Sequence, residues 1–266
     1  MYRSAEQKPL IRLEQVKKVF NHGSVNESVL FNDFNFTISE GQFISVVGSN
    51  GSGKTTILNI ICGSLPIDAG RIFLGEQEVT SMPEHRRARL IGRVFQDPAH
   101  GTCPSLTILE NMSLADNKGK RYGLTPGVNR KLQDEYRSKL QILGMGLENK
   151  LKLPVGVLSG GQRQALALLI ATMTPIQLLV LDEHTAALDP KSAEIVMELT
   201  DKVVRDKGVT AIMVTHNLRF AAEYGNRLVM MDKGQCVIDT GFEEKSRYKV
   251  SDLLSVFNEI SVECGN

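Results

Sequence analysis

The chain has 266 residues, enough to bury a sizeable hydrophobic core as one large domain or as a core carrying a subdomain. It is 42% hydrophobic and 23% charged with a formal net charge of +1, an average globular balance that argues against the strongly basic footprint of a nucleic-acid binder. Its longest apolar runs, such as 57–61 and 178–181, are far shorter than the roughly 20 residues that cross a bilayer.

The N-terminus, Met1-Tyr2-Arg3-Ser4-Ala5-Glu6, leads into polar residues without an apolar leader, so a cytoplasmic location is expected. Three β-rich segments follow at 11–20, 29–38 and 43–47. The first two alternate in hydrophobicity, and the third is a continuous apolar run that enters a glycine-rich loop. A helical period over 55–62 is closed by Gly63 and Pro66. From about Asp97 to Lys152 the character changes, with Pro98, Pro104, Gly123 and Pro126 separating candidate helices at 106–114 and 129–143. Alternation of strand and helix then returns: a buried strand at 178–181, a helix at 190–205 and a strand at 209–214. An amphipathic helix at 250–257 ends the pattern, with a small dimer-stabilising or capping role expected. The expectation is an α/β sheet interrupted by a helical insertion. Cys62, Cys103, Cys236 and Cys264 lack both metal-site spacing and disulfide density, and read as reduced thiols.

Gly48-Ser49-Asn50-Gly51-Ser52-Gly53-Lys54-Thr55 matches the phosphate-loop pattern G-x-x-x-x-G-K-[ST]. In such a loop backbone N–H groups wrap phosphates, the lysine reaches the β- and γ-phosphates, and the threonine hydroxyl ligates Mg²⁺. The helix that starts after Gly53 adds the positive end of its dipole. ATP and Mg²⁺ are therefore the expected ligands. Farther on, the buried run 178–181 ends in Asp182-Glu183, which places two carboxylates at the carboxyl end of a strand, where α/β sheets hold their ligands. Asp182 is the candidate Mg²⁺ holder and Glu183 the candidate general base that polarises the attacking water. The pair alone also reads as a helix N-cap with a solvated neighbour.

Leu158-Ser159-Gly160-Gly161-Gln162 resembles the LSGGQ signature of ABC-type ATPases. Other motifs of that family stand in the expected order. Gln96 resembles the Q-loop glutamine, Ala187-Leu188-Asp189 the D-loop, His216 the switch histidine, and Phe20 the aromatic that stacks on adenine. The resemblance runs from about Ile11 to Asp239. It implies a single ABC ATPase domain over 1–266: a P-loop, RecA-like α/β core with an antiparallel β subdomain and an inserted helical subdomain at 97–165. It also implies roles for further residues. Thr56 and Asp189 join the nucleotide contacts, Gln96 joins Thr55 and Asp182 at the metal, and Gln96 and His216 act beside Glu183 in catalysis.

The resemblance further implies a head-to-tail dimer with a second copy of the chain, in which the phosphate loop of one copy and Ser159, Gly160, Gly161 and Gln162 of the other enclose each ATP. Separate permease subunits would dock between Gln96 and Leu114 on the cytoplasmic side of a membrane, together with an extracytoplasmic substrate-binding protein and with no nucleic acid involved. The segment Lys152-Leu153-Pro154-Val155-Gly156-Val157 lacks the acidic motif of exporters, which favours import. The runs Gly92-Arg93-Val94-Phe95-Gln96-Asp97-Pro98 and Asp182 to Pro190 resemble ATPases of amino-acid-type uptake, aromatic amino acids among the substrates. Two alternatives stay open: a soluble ABC ATPase that remodels an assembly such as an iron–sulfur scaffold, and a motor that extracts lipid or lipoprotein. One departure stands out, since His184 occupies a position where the family usually has proline. It reads either as an added charge near the site at low pH or as a tolerated loop residue.

Overall fold

A computed structural model describes residues 8–120, 127–128 and 130–263. The chain start at Met1 to Glu6, the loop residues Gly123 and Pro126, Asn129 and Cys264 lie outside the described residues. Two compact units divide the chain, Met1–Ala88 with Gly208–Asn266, and Arg89–Lys207.

The first unit opens with β1 (Pro9–Phe20) and β2 (Ser28–Ser39), an antiparallel pair. Phe31, Phe34, Phe36 and Ile38 of β2 are all buried although the spacing slips by one residue after Phe31. A bulge absorbs that slip: the register shifts opposite Val16 and Lys18, and Asp33 takes a left-handed φ of 57°. β3 (Phe43–Gly48) follows, buried at every position, then α1 (Lys54–Cys62). β4 (Ala69–Leu74) and β5 (Gln77–Glu78) complete an antiparallel sheet in the order β2-β1-β4-β5, and a single helical turn, α2 (Glu84–Arg87), closes this stretch.

Arg87 fastens that stretch to α1. It is 2% exposed, and its guanidinium donates to the carbonyls of Met82, Ile60, Ile61, Val79 and Thr80. Ile60 and Ile61 lie in the last turn of α1, where carbonyls lack helical partners and the dipole favours a cation. Arg87→Leu strips five acceptors at once and is expected to lower stability by about 3–5 kcal/mol in urea unfolding. A loss below about 1 kcal/mol, the range of a surface change, would contradict this role.

The second unit contains β6 (Ile91–Val94), α3 (Ile108–Asp116), α4 (Gln133–Gln141), α5 (Gly160–Ala171), β7 (Leu178–Asp182) and α6 (Pro190–Lys207). β6 and β7 run parallel, with Arg93 opposite Val180. Ile108, Met112, Tyr136, Leu140, Leu158 and Leu166 form the core on which the helices of this unit pack. α3 starts two residues later than the apolar pattern suggests. Thr107 and Glu110 form a reciprocal capping box that sets the boundary. α4 also starts late, after a 3₁₀ turn at Arg130–Leu132.

The chain then returns to the first unit with β8 (Thr210–Val214), α7 (Leu218–Glu223), β9 (Arg227–Asp232), β10 (Gln235–Thr240), α8 (Phe242–Lys245) and α9 (Val250–Glu263). β3 is flanked by β8 and β9, both parallel to it, and β10 pairs antiparallel outside β9. Three adjacent parallel strands explain why β3, β8 and β9 read as continuous apolar runs rather than alternating ones. Leu253 of α9 is fully buried against Val47, Ala221, Leu228 and Met230, so the last helix caps the core of its own unit. Among the described residues no helix is long and apolar enough to cross a membrane.

Candidate nucleotide site

The phosphate loop is built by a strand that ends where only glycine fits. At Gly48, φ is 150° and an added Cβ would stand 2.1 Å from the Met231 carbonyl of β9. Gly51 and Gly53 take φ of 78° and 106°, conformations that L side chains rarely adopt. Gly53 is the N-cap of α1 and offers no side-chain acceptor, and the first helical turn carries no acidic residue. The opening N–H groups of α1 meet no capping side chain, an arrangement that suits an anion. Lys54 is 5% exposed and curls over its own loop, donating to the carbonyls of Gly48 at 2.9 Å and Ser49 at 2.7 Å. Its charge is thus held in the concavity of the loop. Ser49 Oγ donates to Asp232, and Gly234 N–H to the Ser52 carbonyl, so the turn after β9 braces the loop from behind.

These residues fit a phosphate, and one atom marks the place. The Ser52 hydroxyl is buried with no hydrogen-bond partner among the described residues, which is costly unless a ligand supplies one. Asn50, Gly51 and Thr55 are exposed and Thr56 is half-buried. The sequence names as metal donors the Thr55 hydroxyl of the first unit and the Asp182 carboxylate and Gln96 amide of the second, all hard oxygens. Among the described residues no group of three or more His, Cys, Asp and Glu side chains gathers as a metal cage. That donor set suits Mg²⁺, which binds through few protein oxygens plus substrate phosphates and water.

Two other expected contacts share the first unit. Phe20 ends β1 half-buried, with Lys18 Nζ 5.5 Å from the ring centre. Lys18 is itself held by Asp68, whose carboxyl is kept below the usual range chiefly by the Val19 N–H. His216 follows β8 on an exposed stretch fixed at both sides. Thr215 N–H donates to the Val46 carbonyl of β3, and Asn217 caps α7 by accepting from Arg219 and Phe220.

The second unit carries the remaining candidates. Asp182 ends β7, and its Oδ2 accepts from Arg93 Nη2 at 2.8 Å, both side chains being 13% exposed. Glu183 has a φ of 48°, a left-handed conformation that costs an ordinary residue about 1–2 kcal/mol, and it turns the chain sharply out of the strand. Asp182 and Glu183 do not cap a helix. Asp189 takes that job on α6, accepting from Ser192 N–H, and hydrogen bonding from the Ser192 side chain and then its N–H holds the carboxyl below the usual range. Gln96 lies exposed just beyond β6, next to Phe95, whose carbonyl accepts from Gln164 of α5 at 2.9 Å.

Ser159 is the N-cap of α5, and Gln162 returns the bond to the Ser159 N–H, a full capping box. Gly160 and Gly161 give room to the D-loop side, since a Cβ at either would approach Leu188 at 3.2 Å or Ser192 at 3.0 Å. The signature turn and the start of α6 are therefore packed tightly within one unit.

His184 lies in the turn after β7, as a loop residue, but it is buried rather than an added charge. It is 2% exposed, and Nε2 lies 3.1 Å from Thr200 Oγ1. The Thr200 proton is already used on the Val196 carbonyl, so His184 Nε2 donates. Burial pushes its pKa down to about 4, against roughly 6.5 in an unfolded chain. Between these values the unfolded state binds more protons, so stability rises with pH there and is independent of this group above about 6.5. Wild type is expected to lose up to about 3 kcal/mol through this residue as pH falls from 6.5 to 4, and His184→Gln to be spared that loss. Parallel pH profiles in urea unfolding would contradict the assignment.

Gln164 and Arg87 were not legible as anchors from sequence, and Arg93 was named only within the run Gly92 to Pro98, its partner Asp182 lying 89 positions away. Cys62, Cys103 and Cys236 are free thiols.

Comparison with known proteins places this arrangement. The family model for ABC transporters matches residues 31–186. The tyrosine transport ATP-binding protein of Clostridioides difficile (strain R20291) is 42% identical over 248 residues, covering 93% of this chain and 98% of that protein. The spermidine/putrescine import ATP-binding protein PotA of Haemophilus influenzae (strain ATCC 51907 / DSM 11121 / KW20 / Rd) is 32% identical, and the match covers 90% of this chain but only 60% of that protein. Among solved structures, the ATP-binding cassette MJ0796, in a dimeric post-hydrolysis state bound to ADP and Pi, superposes with a TM-score of 0.73 at 28% identity, covering 87% of this chain and 98% of that one. With the phosphate loop, the acidic strand end and the capped signature helix in one chain, these matches make it an ATPase that belongs to the ABC transporter family.

Proposed function

We propose that this ATPase powers the uptake of amino acids, aromatic ones within that class, by driving a separate membrane permease from the cytoplasmic side. The observation that carries the reading is the 42% identity to a tyrosine transport ATP-binding protein along nearly the whole of both chains. Each ATP would lie between the loop Gly48 to Thr56, with Phe20 against the adenine, and Ser159 to Gln162 and Asp189 of a second copy. Lys54 and the first N–H groups of α1 hold the phosphates, and the N-terminus of α5 in the second copy presents further donors. Thr55, Asp182 and Gln96 would hold Mg²⁺, which would supply charge neutralisation for the phosphates. The Glu183 carboxylate takes the proton of the attacking water, while His216 and Gln96 orient its surroundings. The helical subdomain at 97–165, with residues 96–114 facing the permease, would pass closure of the dimer on as movement. An extracytoplasmic binding protein would deliver the amino acid.

The test is uptake of labelled tyrosine and labelled spermidine by cells whose only copy carries Glu183→Gln. Tyrosine uptake is expected to collapse and spermidine uptake to persist. The reverse pattern would reassign the substrate to polyamines. Unchanged uptake of both, with no multi-span membrane protein copurifying, would favour a soluble remodelling ATPase.

A further inference from the structure

We propose that Arg93 is a built-in counter-cation for Asp182, which compensates the carboxylate when no metal is present and competes with Mg²⁺ for it. The proposal rests on the reading of Asp182 as a metal ligand and adds a second, internal claimant to the same oxygens.

The geometry follows from the β6–β7 ladder. Arg93 pairs with Val180 in parallel register, so Asp182, two residues farther along β7, projects from the same face as that pair, and Phe95 follows directly after the end of β6. The guanidinium bridges this row. Nη2 donates to Asp182 Oδ2 at 2.8 Å while the guanidinium carbon lies 4.6 Å from the centre of the Phe95 ring. A planar cation lying over an aromatic face and bonded to a carboxylate is held in one orientation. Phe95 is fixed in turn by its edge contact with His100 and by the bond from buried Gln164 to its carbonyl.

The energetic logic depends on burial. With both side chains 13% exposed, the Asp182 carboxylate has lost most of its hydration, and an unpaired charge there is expensive. Arg93 removes that cost in the metal-free protein. Once a divalent cation engages Asp182, the same guanidinium becomes a neighbouring like charge. Arg93 therefore stabilises the empty site and raises the Mg²⁺ concentration at which nucleotide is gripped. Because the guanidinium lies over Phe95, next to Gln96, the competition takes place on the β6 end that leads into the Q-loop.

The experiment uses the full-length chain carrying Glu183→Gln, so that nucleotide is not consumed, and follows binding of a fluorescent ATP analogue as Mg²⁺ is titrated. Arg93→Met is expected to lower the Mg²⁺ midpoint roughly three- to tenfold, the scale of one unit charge acting on a divalent ion in a partly hydrated site. Arg93→Lys, which keeps the charge, is expected to stay near the parent midpoint. In EDTA without nucleotide, Arg93→Met is expected to lower the thermal midpoint, and to lower it far less when Asp182 is already Asn. A midpoint in Arg93→Met that is unchanged or higher, in a parent that still needs Mg²⁺, overturns the proposal alone. A parent whose nucleotide binding ignores Mg²⁺ overturns the metal reading of Asp182 and the proposal with it.

Discussion

Replacing Glu183 with glutamine is expected to slow ATP turnover by roughly 10²- to 10⁴-fold, the usual contribution of a positioned general base, while leaving nucleotide binding intact. The substitution is nearly isosteric, so the sharp turn at φ 48° and its Ala186 N–H to Glu183 carbonyl bond are preserved. What is lost is a proton acceptor at the carboxyl end of β7. The left-handed conformation supports the assignment independently of any motif. A residue other than glycine, asparagine or aspartate pays for that conformation, and such strain persists where the surrounding structure has a use for the direction it imposes. With hydrolysis blocked, ATP-bound dimers are expected to accumulate, visible as an ATP-dependent shift to twice the monomer mass in light scattering. Wild-type turnover in this variant would remove Glu183 from the role of base and leave Asp182 or His216 to explain the chemistry.

Different physical signals made different parts of this molecule legible in its sequence. β3 and β7 were plain because strands covered on both faces must be apolar throughout, and each leads directly into polar residues that name a chemistry. The phosphate loop was plain because Gly48 and Gly53 take backbone conformations that side chains rarely adopt, a constraint written in residue identity. β4 and β5, by contrast, were not anticipated. They form a short hairpin whose alternation covers few residues, and Gly70 marks a backbone approach to Glu14 and Gln15 that no local pattern announces. α9 runs six residues beyond the expected stop at Phe257, to Glu263. Leu253 within it meets Val47 and Met230, contacts that no local pattern announces. The start of α3 was recoverable, since Thr107 and Glu110 have the spacing of a capping box. His184 was not. A histidine in a turn next to two carboxylates looks solvated, and only the reach of Thr200 from α6 makes it a core residue. Arg93 and Arg87 share that difficulty, because long cations find partners through tertiary placement.

Mixing two inactive variants gives the most direct view of how the site is assembled. Lys54→Ala removes the charge that Gly48 and Ser49 hold in the loop, and Ser159→Phe crowds the N-cap of α5, where Leu188 and Ser192 leave no spare room beside Gly160 and Gly161. Each variant alone is expected to lose nearly all hydrolysis, since every site in its dimer has one defective half. In a mixed dimer the Lys54→Ala chain still presents an intact Ser159, and the Ser159→Phe chain an intact phosphate loop. One site is then whole and the other doubly defective. Activity in the mixture is therefore expected to exceed that of both parents combined, and to depend on time for subunits to exchange. If each chain instead closed its own site, mixing could restore nothing, because no single polypeptide would carry both intact halves. Complementation between chains therefore decides between the two arrangements.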